Sequence, residues 1–172
     1  MDITQLILDD HAEQRRLFSL IEQINPKDKP ALTAVWDRLS AFLDVHAEAE
    51  ERYFYPTLLK VGESANDAEG DDAAPETEDA IEDHNELRDA VKAVEKHNVG
   101  TKAWIEAVGQ ANVVNSKHMG EEERQGLTDF RRTADIQTRH DLGVKFLAFV
   151  MDNITGVKAV NKDPDAYVEK HG

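Results

Sequence analysis

The chain has no cysteine in 172 residues. That excludes disulfides, thiolate zinc sites, iron–sulfur clusters and thiol catalysis together. Any metal must be held by nitrogen and oxygen, and seven histidines and 35 carboxylates supply both. Basic residues are scarce: 20 lysines and arginines leave a net charge of −15. Nucleic acid and anionic membranes recruit basic patches, so neither is an expected partner. No apolar run approaches the roughly 18 residues of a membrane span, and the longest, Val144 to Met151, is broken by Lys145. The opening MDITQLILDDHAEQRR has no basic segment leading into an apolar one, so no secretory signal is expected and the default location is cytoplasmic. No stretch alternates apolar and polar residues over strand length, and the length suits one domain.

What is present has a helical period. Ile3, Ile7, Gln14, Leu17, Phe18, Ile21 and Ile24 recur at three-or-four spacing until Asn25-Pro26. Leu32, Val35, Trp36, Leu39, Phe42, Leu43, Tyr53 and Phe54 form a second stripe, expected to stop at Pro56. Ala80, Ile81, Leu87, Val91 and Val94 form a third, and Trp104, Ala107, Val108, Ala111 and Val114 a fourth. A fifth carries Ile136, Leu142, Phe146, Leu147, Val150 and Ile154, on a helix expected over Thr138 to Asn153 to cap the bundle or form a subunit interface. Between the second and third stripes, residues 61 to 83 hold ten acidic residues and no basic one, two-thirds of the net charge. Residues 61–79 are expected as a solvated acidic connector. Four amphipathic helices with two short connections and one long one predict an all-α fold, an antiparallel up-and-down four-helix bundle with a fifth C-terminal helix over residues 1–153. Residues 154–172, ending KDPDAYVEKHG, are expected as a loosely ordered polar tail.

Each of the four main stripes is interrupted by a histidine: His11, His46, His84 and His118. Four imidazoles facing one bundle axis cannot all satisfy one another by hydrogen bonding. Glu50 follows His46, and Glu122 follows His118, by four residues, so each pair shares a helix face. A glutamate on an apolar stripe is costly unless it is paired or metal-bound. The halves also repeat. Asp10-His11-Ala12-Glu13-Gln14-Arg15 matches Asp83-His84-Asn85-Glu86-Leu87-Arg88, and the His46 to Arg52 segment matches His118 to Arg124. A helix pair used twice brings four nitrogen and two carboxylate ligands to its middle, enough for two carboxylate-bridged metals. Iron accepts five or six ligands in such a set, with manganese as the alternative.

These residues resemble the hemerythrin-like family with the HHE cation-binding domain. The matched pattern is His…His-x-x-x-Glu in each half: His11, His46 and Glu50, then His84, His118 and Glu122. The resemblance covers roughly residues 1 to 128 and implies a four-helix bundle around a carboxylate-bridged di-iron centre. It also implies reaction with a small ligand (dioxygen, nitric oxide or peroxide) or iron sensing. Oxygen-carrying hemerythrins have a fifth histidine where this chain has Arg88, and an aspartate five residues after the fourth-helix histidine where it has Glu123. Reversible oxygen carriage is therefore not the expected role. A ferritin-like centre needs Glu-x-x-His, and no histidine here has a glutamate three residues before it. A peroxide- or nitric oxide-consuming oxidoreductase in stress defence is the leading expectation, and an oxygen- or iron-sensing binding module is the alternative. Oligomeric state is left open.

The surrounding residues are assigned in the same way. Tyr53 shares the face of His46, and Tyr55 precedes the expected helix end; either phenol could reach the metal. Arg15 and Arg88 could support the ligands from outside or balance Glu50 and Glu122, and an ordinary ion pair between helices is an equal alternative. Asp10 and Asp83 turn about 100° from the ligand positions; solvent is the leading expectation for them, with a bond to a neighbouring ligand imidazole as the alternative, and Glu51 and Glu123 likewise turn off the ligand face. His97, His140 and His171 match nothing and are expected on the surface, with Trp36 and Trp104 in the core.

Overall fold

The computed structural model describes residues 1–63 and 73–172. Helix α1 (Ile3–Gln23) pairs with α2 (Lys29–Ala49), and α4 (Ala73–Val94) pairs with α5 (Lys102–Arg124). The connections within each pair are a few residues long, which forces an antiparallel course. Their ends are capped by side chains: Asp2 accepts from the Thr4 N–H, Asp28 from the Ala31 N–H and Thr101 from the Trp104 N–H. Among the described residues there is no strand, and no helix is long and apolar enough to cross a membrane.

The core is divided in two. One cluster, including Leu17, Phe18, Leu39 and Val91 with the Trp36 and Trp104 rings edge to face at 6.1 Å, fills the end near the short connections. The other gathers Ile3, Ile7, Phe54, Tyr55, Ile81 and Phe130 at the opposite end. The buried histidines and glutamates form a polar layer between them.

Helix α2 does not end at Pro56. It passes through a π-helical turn, Glu50–Phe54, into α3 (Tyr55–Glu63). Within this turn the Tyr55 N–H bonds the Glu50 carbonyl, five residues back. That widened turn accommodates a proline, which has no N–H to place in a regular ladder. Part of the expected acidic connector, 61–79, is helical. Residues 61–63 close α3, α4 begins at Ala73, and only 64–72 lie outside the described residues. Ala73, Thr77, Ala80 and Ile81 are buried at helical spacing. Small residues make that face, so hydropathy understates it, and Pro75 sits in the first turn where proline is tolerated.

After α5 the chain breaks at Gln125 and continues as α6 (Gly126–Thr133) and α7 (Ile136–Asp152). Helix α7 covers the α1–α2 face, burying Leu142, Phe146 and Val150. The tail is ordered as well. Pro164–His171 forms α8, capped by Asp163, and packs on α4 and α3 with Tyr167 only 7% exposed. The expectation of a loose tail is overturned because this segment docks through hydrogen bonds, to which an apolar period is blind.

Candidate metal centre

All six residues predicted to hold metal are buried in the polar layer. Their near atoms converge. His46 Nε2 lies 2.9 Å from Glu50 Oε1, and His11 Nε2 lies 4.0 Å from the same oxygen. The other oxygen, Glu50 Oε2, is 3.3 Å from His84 Nε2, which is 3.0 Å from His118 Nε2. Glu50 thus stands between two clusters, His11–His46–Glu50 and Glu50–His84–His118, whose ligand-type atoms lie within 4.8 Å of one another. Glu122 lies across the layer, with Oε2 3.2 Å from His11 Nε2.

Whether this donor set suits a cation can be judged from what it leaves unmade. His11 Nε2, His46 Nε2, both oxygens of Glu50 and Glu122 Oε2 are buried without a hydrogen-bond partner. Leaving such atoms bare costs about 1–3 kcal/mol each, more for charged groups. They point at one another across a few ångström, and nitrogen and carboxylate oxygen are the ligands that iron and manganese accept. The residues fit a pair of cations.

The far nitrogens are occupied by carboxylates. His11 Nδ1 meets Glu123 at 2.9 Å, His46 Nδ1 meets Asp10 at 3.1 Å and His84 Nδ1 meets Glu51 at 2.8 Å. His118 Nδ1 faces Asp83 at a looser 3.9 Å, where Lys117 takes Asp83 at 2.7 Å. For Asp10 the structure shows the alternative, a bond to a neighbouring imidazole, rather than solvent, and Glu51 and Glu123 take equivalent places. They do turn away from the ligand on their own helix, but that turn aims each at a histidine of a neighbouring helix. Carboxylates in this place fix an imidazole's tautomer and strengthen it as a ligand. The repeat held the signal: Asp10 and Asp83 are equivalent positions, as are Glu51 and Glu123. Arg15 and Arg88 do not balance Glu50 and Glu122. They pair instead with Glu123 and Glu51, each at 2.7 Å.

Of the two tyrosines, Tyr55 reaches the site. Its hydroxyl donates to Glu122 Oε1 at 2.6 Å, whereas Tyr53 rests on the Phe149 ring. The extra residue in the π turn rotates Tyr55 inward, which regular helical spacing could not anticipate. Asn115 was also missed; it donates to Gln14 Oε1 at 2.9 Å beside the histidines. His97 and His140 are exposed, and His171 lies against Tyr167.

Charge within the layer follows these contacts. Burial opposes a proton on His46, but the Glu50 and Asp10 carboxylates outweigh it and hold the imidazole well above its ordinary range. Burial is likewise outweighed at His84, which Glu50 and Glu51 raise to about 9. Burial and the neighbouring charge on His84 push His118 well below its usual value. Burial would raise Glu51, yet His84, Arg88 and Lys162 bring it down to about 2. Burial and the Glu122 and Glu50 charges raise the Tyr55 hydroxyl strongly.

A cavity of about 390 Å³ approaches the layer along α4 and α5, lined by Tyr55, Asp79, Asp83, His118, Glu122 and Gly126 among others. It is the size of a small-molecule pocket and reaches one histidine and one glutamate of the cluster.

No curated protein and no solved structure matches the chain. A family model does: the hemerythrin HHE cation-binding domain, over residues 2–128. That span takes in both helix pairs and every residue of the buried cluster, and it ends before α7 and α8 begin. By this match over most of its length, with groups of buried histidine and glutamate that could hold a metal ion at its centre, the chain belongs to the hemerythrin HHE cation-binding domain family.

Proposed function

We propose that the buried cluster holds two iron ions, one at His11, His46 and Glu50 and one at His84, His118 and Glu50, with Glu122 completing the set. The observation that carries this reading is the convergence of two His–His groups on the Glu50 carboxylate, whose two oxygens are buried without a partner, as are the near nitrogens of His11 and His46. Manganese suits the same donors. When bound, the pair would supply redox chemistry toward dioxygen, nitric oxide or peroxide, which fits oxidative or nitrosative stress defence in the cytoplasm. The protein's own part is to hold the imidazoles through their outer carboxylates, keep water away with the two apolar clusters, and fix Glu122 through the Tyr55 hydroxyl.

Metal content and the visible spectrum of the aerobically purified protein test this reading. Two irons per chain with near-ultraviolet oxo-bridge absorption are expected. His46→Ala and His118→Ala should each lose metal; two irons retained in either variant would show the ligand assignment to be wrong. Iron-loaded protein should then consume peroxide or nitric oxide over many turnovers. A spectral change without turnover would instead support an oxygen- or iron-sensing module.

A further inference from the structure

The two cation positions are built on a repeat, but they are not held alike. Glu51 and Glu123 are equivalent residues, each bonded to a histidine of the other helix pair. The Glu123 side chain is 27% exposed, and beyond His11 its one ion-pair partner among the described residues is Arg15, itself 47% exposed. Glu51 is buried, and the segment between α7 and the chain end closes over it.

Lys162 and Tyr167 tie that segment down. The Lys162 ammonium bridges Glu48 Oε2, at 2.9 Å, and Glu51 Oε2. The backbone of Lys162 exchanges two hydrogen bonds with the Asn85 side chain, next to His84: the Lys162 N–H donates to Asn85 Oδ1 at 2.9 Å, and Asn85 Nδ2 donates to the Lys162 carbonyl at 2.6 Å. The Tyr167 hydroxyl donates to the Glu51 backbone carbonyl.

The last contact has a specific cause. In a π turn the Glu51 carbonyl would accept from the residue five positions on. That residue is Pro56, which has no N–H. The regular donor four positions on, Tyr55, is already bonded to Glu50. A buried carbonyl without a partner is costly. Tyr167 supplies the donor that Pro56 lacks, from a part of the chain beyond the matched domain.

We infer that Lys162 and Tyr167 are positioning residues: acting through Glu51, they lock His84 and make the Glu50–His84–His118 position the tighter of the two for a cation. The inference rests on the two-cation reading above. Its physical basis is preorganisation. With Oε1 on His84 and Arg88, Oε2 on Lys162 and the backbone on Tyr167, Glu51 has no freedom left to lose when the imidazole is ligated.

Titration of the full-length, cation-free protein with cobalt(II), read by its visible spectrum, tests this. The wild type should take up two ions per chain in two steps of unequal affinity. Lys162→Met and Tyr167→Phe should each weaken the tighter step about 10- to 100-fold and leave the weaker step unchanged. Lys162→Arg should restore it. Arg15→Met should do the converse, weakening only the weaker step. Far-ultraviolet circular dichroism on each variant confirms that the helices are intact. Two steps of equal affinity in the wild type, no change in Lys162→Met, or equal weakening of both steps in Lys162→Met would overturn the inference. A wild type that never binds a second ion would instead defeat the two-cation reading beneath it.

Discussion

Three of the four buried imidazoles, His11, His46 and His84, commit their far nitrogen to a carboxylate, and that commitment leaves the near nitrogen pointing at the centre. Tyr55 does the same for Glu122, by satisfying one oxygen and leaving the other bare. Tyr55→Phe should therefore cost the cation-free protein about 1.5–3 kcal/mol, the worth of a hydrogen bond to a charged group. Tyr53→Phe, which keeps the ring resting on Phe149 and removes only its hydroxyl, should stay within about 0.5 kcal/mol. Urea denaturation of the two variants side by side distinguishes these roles. The six central residues were legible in the sequence because a histidine or glutamate on an apolar stripe contradicts its surroundings. The outer carboxylates were not. Asp10 or Glu51 on an off-stripe position looks the same whether it faces water or a neighbouring helix, and only the packing decides.

Among the elements, the π turn has the largest effect for its size. It carries the chain through Pro56 and swings Tyr55 into the layer, and it leaves a carbonyl for Tyr167 to satisfy. No periodicity argument can place it, because it is a departure from the period. Helix α7 was legible as an amphipathic helix, but not its docking. The structure places it across α1 and α2, with the Phe146 ring 6.1 Å from the His46 ring. Phe146→Ala should cost about 3–5 kcal/mol in cation-free protein. It should also open the His46 side of the layer to water, seen as faster backbone hydrogen exchange in the last turns of α2. A cost below about 1 kcal/mol would mean that α7 contributes little to the bundle.

At the scale of the whole molecule, protons and cations compete for one interior. In the cation-free protein His84 has a pKa of about 9 against 6.5 for an ordinary imidazole. Its bound proton therefore stabilises the fold fully below pH 6.5, and that contribution is lost as pH rises through 9. His118 acts in the opposite sense: its depressed pKa favours the fold above 6.5, and that benefit is lost as pH falls through the lowered value. A ligating imidazole carries no such proton. Between pH 6.5 and 9 the melting temperature of chelator-treated protein should fall, and the gap between it and cation-loaded protein should widen. Parallel melting curves across that window would contradict this. The bundle itself was readable at this scale, since two copies of one helix pair were visible in the spacing of four histidines. The docked C-terminal segment was not. Its start signal, Asp163 before Pro164, was present, but a single buried ring and a few hydrogen bonds leave no apolar stripe to find.

The crossed carboxylates also bear on what can be separated. Glu51 of the first helix pair holds His84 of the second, and Glu123 of the second holds His11 of the first. The duplication seen in the sequence is therefore not a duplication of two self-sufficient modules. Either pair transplanted alone into another scaffold would arrive with one histidine, His11 or His84, lacking its outer carboxylate and one acid, Glu51 or Glu123, lacking its arginine. The smallest portable unit is both pairs together, and on the His84 side it extends to Tyr167.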